Sequence, residues 1–183
     1  MNTEVTKLEN VRKSCKTASI VLKVIKIICI VFLIISTAGA AVCLGLSAKI
    51  NNELIANPEV ADSISVSFNF GPVELTDLAT DMMDAGEYAS VFMIACIIVA
   101  IALALAAITF SMIEKIFLAV LKNDSPFNDA VIKTMKKTFI FITILMLLSE
   151  GLGAAFVFAM LFWCIYTIFQ YGAELQKESD ETL

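Results

Sequence analysis

The stretch VIKTMKKTFIFITILMLLSEGLG, residues 131–153, decides how this chain is organised. Its uncharged part, Thr138 to Ser149, covers 12 residues, whereas crossing about 30 Å of hydrocarbon takes about 20 apolar helical residues. Extending the segment back to Val131 gives 19 residues and admits Lys133, Lys136 and Lys137. Long lysine stems carry their ammonium groups from the first turns of a span out to the head groups. Asn128 to Ser149 is therefore read as a span, and Ser149-Glu150-Gly151-Leu152-Gly153 as a tight turn into the next. A re-entrant or interfacial helix is the rival reading of this segment.

On either side the reading is simpler. Ile27 to Ala48, Tyr88 to Ile113 and Gly151 to Ala173 hold no charged residue over 22, 26 and 23 positions, and each is long enough to cross. Of the 183 residues 59% are hydrophobic, against about 45–50% apolar in globular domains, and the mean hydropathy is +0.87. The apolar residues come in blocks, so the core belongs in a bilayer. The expectation is one all-α integral membrane domain over residues 1–183, a four-transmembrane-helix bundle with spans at about 24–48, 88–113, 128–149 and 151–172. Between and after them lie an extracytoplasmic loop at 49–87 with a small β element, a cytoplasmic loop at 114–127 and a cytoplasmic tail at 173–183.

Orientation follows from lysine and arginine near the span ends. With four spans, all of the 13 basic residues except Lys49 fall on one side, which places both termini in the cytoplasm. A three-span chain would move only Lys177 and the tail outside, so the charge rule alone separates the two weakly. Ala38-Gly39-Ala40 resembles a signal cleavage site, but the apolar run is longer than a secretory h-region and begins late, which favours an uncleaved anchor.

The arm before the first span carries Leu8, Val11, Cys15, Ala18 and Leu22 at helical spacing with basic residues between them. It either lies on the anionic membrane surface or continues the first helix. The segment 49–87 is acidic, and within it Ser63 to Phe70 alternates polar and apolar, the period of a strand. Gly71-Pro72 signals a turn, and Val73-Glu74-Leu75 is a candidate return strand. Thr37, Ala41 and Gly45 form a small-residue ladder on the first span, and Ala95, Ala102 and Ala106 form another on the second, which favours close helix approach in lipid. Cys15, Cys29 and Cys43 recur on one helix face. With no histidine and no paired-cysteine spacing, zinc and haem sites have little support, and no metal, cofactor or catalytic residue is expected. The acidic outer segment lacks the spacing of a calcium loop.

The most legible local motif is Ser125-Pro126-Phe127-Asn128-Asp129. Proline holds its predecessor extended, Phe127 is an apolar residue ahead of the cap, Asn128 is a good N-cap and Asp129 suits the first turn. At Ser125-Pro126-Phe127-Asn128, at Phe68-Asn69-Phe70-Gly71 and above all in the ending IFQYGAELQKESDETL, residues 168–183, the chain resembles the bacterial membrane family catalogued as domain-of-unknown-function family 2975. The resemblance runs over most of the chain. It implies a four-span protein of the bacterial cytoplasmic membrane, often encoded beside a small helix-turn-helix regulator, with no established activity.

Three functions compete. A regulatory or scaffold protein would dock a cytoplasmic partner, such as a transcriptional regulator, through Pro126, Phe127 and the acidic Glu174, Glu178, Asp180 and Glu181, since complementary charge steers association. Direct contact with nucleic acid is not expected. The bland reading of the same acids is a solvated tail repelled from the anionic bilayer. A small transporter or channel subunit working as a homo-oligomer would need ionisable residues or broken helices at mid-membrane, yet Glu114 and Glu150 sit at span ends. An intramembrane enzyme would need a nucleophile with its base, a carboxylate pair or a metal, and the spans show none of these patterns.

Overall fold

From Asn2 to Thr37 the sequence has neither glycine nor proline, so nothing interrupts a helix once it starts. Helix α1 accordingly runs from Asn2–Gly45 without a break. Of the two readings open for the N-terminal arm, the structure takes the continued helix. The computed structural model describes the backbone of residues 2–63, 69–70, 73–74, 76–123 and 125–181, and their side chains except at 2–8, 62, 69–70, 73–74 and 180.

After α1 come α2 (Ser47–Ala56), α3 (Pro58–Asp62), strands β1 (Asn69–Phe70) and β2 (Val73–Glu74), then α4 (Thr76–Asp84), α5 (Tyr88–Asn123), α6 (Asp129–Ser149) and α7 (Leu152–Glu181). Among the described residues the fold is all-helical except for one two-residue antiparallel ladder, Asn69 opposite Glu74 and Phe70 opposite Val73. Most of the alternating run, residues 64–68, lies outside the described residues, as do Gly71, Pro72 and Leu75.

Three helices are long and apolar enough to cross a membrane: Glu9–Gly45, Tyr88–Asn123 and Leu152–Ser179. They carry large apolar side chains on nearly every face, among them Ile34 at 60% exposure, Phe156 at 67% and Trp163 at 72%. A helix apolar all round and left uncovered has lipid for its solvent. The architecture is that of a helical multi-pass membrane protein. Helix α6 has the length, 21 residues or about 31 Å, but Lys133, Lys136 and Lys137 dilute its apolar run.

The chain forms two compact units, residues 28–106 and residues 1–27 with 107–183, and α1 and α5 contribute to both. In the first unit α1 meets α5 where Ser36 Oγ donates to the Cys96 carbonyl at 2.8 Å. Gly39 lies so close that a Cβ there would come within 3.2 Å of the Cys96 sulfur. The contact between α1 and α5 is made at Ser36 and Gly39, while Thr37, Ala41 and Gly45 of the expected ladder are exposed. One residue along a helix is a rotation of about 100°. Thr37 turns outward and returns its hydroxyl to the Leu33 and Ile34 carbonyls, while Gly45 has nothing within 4 Å of where a Cβ would be.

The acidic segment holds helices that the sequence reading gave to loop and strand. In α2, Asn51 Oδ1 accepts from the Ala89 amide at 2.8 Å, satisfying one of the orphan donors at the start of α5. Gly86 makes the turn between α4 and α5 at φ 79°, a left-handed conformation that glycine adopts without strain.

In the second unit, Lys26 Nζ donates to Glu114 Oε2 at 2.6 Å. Lys26 immediately precedes one long uncharged run and Glu114 immediately follows another. Two opposite charges thus close the apolar layer at one edge of an antiparallel helix pair. Helix α6 buries Val131 and Thr138 completely, and the Thr138 hydroxyl is satisfied by the Thr134 and Met112 carbonyls. Helix α6 then packs along α7, with Phe139 and Phe162 stacked at 4.4 Å and 7°. Between them Gly151 takes φ 88°, so the turn into α7 falls where the sequence places it.

Candidate partner-binding face

Three local preferences build the turn between α5 and α6. The Asn123 amide closes α5 by donating to the Ala119 carbonyl at 2.7 Å. Asn128 stands at φ −81°, ψ 144° as the N-cap of α6, its Oδ1 accepting from the Ala130 amide at 2.9 Å. Between them the Ser125 hydroxyl accepts from the Phe127 amide at 3.2 Å, so the segment through Pro126 curls on itself.

The same serine fastens this turn to α7. Ser125 Oγ donates to Gln176 Oε1 at 2.7 Å, and the Phe127 ring meets Phe169 at 5.6 Å between centroids, tilted by 46°. Gly172 makes room for that ring: a Cβ at this position would stand 2.6 Å from two of its carbons. Phe169, Gly172 and Gln176 follow one another three and four residues apart, so they lie on one face of α7. Around them Asn123, Asn128, Ala173 and Lys177 help to line a shallow cavity of about 240 Å³.

Glu174, Glu178 and Glu181 are also spaced by four and three residues and are exposed, but two residues along a helix is a rotation of about 200°. The acidic stripe therefore points away from the face that receives Phe127. Asp180 is part of α7, and its side chain lies outside the described residues. The turn and the tail are thus joined, while their expected contact groups point to different sides: Phe127 rests on α7 and is still 36% exposed, Pro126 beside it is half-buried, and the acidic stripe faces the other way.

No family model, curated protein or solved structure matches this chain. The face has to be read from its own chemistry. One side of the end of α7 carries carboxylates, and the other receives a turn held in place by one hydroxyl, one amide and a ring over a glycine. Phe169, Gly172 and Gln176 belong to no local motif in the sequence. Their signal is faint but physical: a lone glycine inside a helical pattern marks close approach of another segment, and Gln176 falls on the same face one turn later.

Proposed function

We propose that this is a non-enzymatic integral membrane protein with four spans and both termini in the cytoplasm, where it docks a basic protein partner on the acidic stripe of α7. The observation that carries the reading is the Ser125–Gln176 hydrogen bond together with the seating of Phe127 on Gly172. The turn that follows α5 touches the last turns of α7 directly, which supports a shared compartment for the two and an α6–α7 hairpin that leaves and returns on the same side. The length of α6 supports a full crossing. The lysines near the span ends support the cytoplasm as that side.

Within this reading Pro126 and Phe127 hold the turn against α7 and so steady the tail helix. Contact with the partner falls to Glu174, Glu178 and Glu181, with Asp180 beside them in sequence. The resemblance to domain-of-unknown-function family 2975 points to a helix-turn-helix regulator as the partner. Such proteins carry basic surfaces for DNA, and an acidic helix competes for such a surface.

Purified intact protein in mild detergent, titrated with a basic helix-turn-helix DNA-binding protein of the kind the resemblance implies, tests this. Glu174→Gln, Glu178→Gln and Glu181→Gln together are expected to weaken binding about tenfold, three rim charges at a few tenths of a kcal/mol each. The wild-type interaction is expected to fade as salt rises. Binding that ignores both the triple substitution and salt would remove the acidic stripe from the site.

A further inference from the structure

We propose that the groove between α6 and α7 is a binding site for an anionic phospholipid, its phosphate on Lys136 and one acyl chain along the groove. The groove encloses about 540 Å³, within the range of small-molecule sites. Its two ends differ in character. At one end Lys136 Nζ sits over the Tyr166 ring, 5.6 Å from the centroid, and Gln170 stands one turn further along α7. Toward the other end the lining is apolar, with the Phe139–Phe162 stack followed by Ile140 and Ile144. Thr143 belongs to this half, but its hydroxyl already donates to the Phe139 carbonyl. A molecule that fits is polar at one tip and hydrocarbon for the rest.

Charge selects the tip. Tyr166 lies about two helical turns before Glu174, the first charge on α7 after its apolar run, a depth of about 12 Å just inside the acyl chains, from which a lysine stem reaches the head groups. An ammonium there needs an anion, and among the described residues no carboxylate pairs with Lys136. The aromatic face under it supplies one side of its shell and leaves its N–H donors for an acceptor with several oxygens. A phosphodiester provides them, and the Gln170 amide and Tyr166 hydroxyl are further donors at the same end. A zwitterionic lipid brings its own ammonium, which competes with Lys136 for the phosphate. From Lys136 to Ile144 the groove runs for about 12 Å along α6, enough for the upper half of an acyl chain.

The site rests on α6 crossing the bilayer beside α7, and not on the docking of any protein partner. Trp163 lines the groove and is the only tryptophan in the chain; at 72% exposure it also meets bulk lipid, so the difference in quenching between two lipids reads the groove. Intact protein is reconstituted in phosphatidylcholine bilayers containing rising fractions of brominated phosphatidylglycerol or brominated phosphatidylcholine. The anionic lipid is expected to quench at about fivefold lower mole fraction, the effect of one lysine near anionic head groups. Lys136→Gln is expected to abolish that preference while both lipids still quench, and Lys122→Gln, remote from the groove, to preserve it. Equal quenching by the two lipids in the wild type overturns the site. So does loss of the preference on adding inorganic phosphate, which would make the ligand a free anion, or protection of Trp163 from both lipids in a dimer, which would make the occupant a second copy of the chain. A failure of α6 to cross is read separately, by a reporter fused to the C-terminus.

Discussion

Replacing Lys26 with alanine is expected to destabilise the protein by about 3 kcal/mol, because it strands a buried charge. Glu114 is 8% exposed and holds Lys26 at 2.6 Å. Removing one member of a buried pair leaves the other without solvent or partner, which costs about 3–5 kcal/mol. The Lys26 side chain is 24% exposed, so water reaches that end of the pair and the lower figure applies. The pair itself need not stabilise: Lys26→Met combined with Glu114→Leu removes both charges and is expected to fall within about 1 kcal/mol of the wild type. Reversible unfolding in mixed micelles measures both differences. A Lys26→Ala protein as stable as the wild type would mean that α1 and α5 do not close the apolar layer through this contact.

Gly172→Leu is the second large effect. A Cβ at position 172 already falls 2.6 Å from two carbons of Phe127, and a leucine adds three more carbons beyond it. Either the ring leaves or the helix shifts, and overpacking of this kind costs about 1–3 kcal/mol. Once Phe127 is displaced, the Ser125–Gln176 hydrogen bond loses its framing, so the turn between α5 and α6 detaches from α7. The expected result is a loss of about 2 kcal/mol in unfolding free energy, with protease sensitivity appearing at the turn. Combining it with Phe127→Ala is expected to recover most of the stability, because the smaller side chain vacates the space the leucine needs. Full stability in Gly172→Leu alone would show that the ring is not seated on this glycine.

Most of the membrane architecture is legible in the sequence, and the reasons are specific. The uncharged runs around Phe32, Ile101 and Phe162 announce α1, α5 and α7 because only lipid tolerates so much uncovered apolar surface. Helix α6 is harder, since Lys133, Lys136 and Lys137 trade apolar length for charge. Its start is nonetheless plain from Asn128, whose side chain caps the helix as its chemistry predicts. The turn at Gly151 is equally plain, because glycine beside a short polar segment accepts positive φ. The acidic segment is another matter. The Ser63–Phe70 alternation and the many carboxylates draw the eye from the helices α2 and α4, and the Asn51–Ala89 contact that ties α2 to α5 joins residues 38 positions apart.

The contacts that define the candidate face are less legible still, because they join residues far apart in the chain. Glu114 reads as an interfacial carboxylate until Lys26, 88 positions away, is seen to hold it. Phe127 reads as an apolar residue ahead of a cap, and only the folded chain shows it seated on Gly172. The α1–α5 contact departs from the small-residue ladder for a narrower reason. Helix phase converts a shift of one residue into a rotation of about 100°, so Ser36 and Gly39 take the place that Thr37, Ala41 and Gly45 suggest.

The most direct test of the account is the side of the membrane on which the chain ends. A fluorescent reporter that matures only in the cytoplasm, fused after Leu183, is expected to fluoresce, and alkaline phosphatase at the same position to stay inactive, with the opposite pair of results for fusions within residues 49–87. An active phosphatase after Leu183 would contradict four crossings, and with them the shared compartment on which the docking face depends.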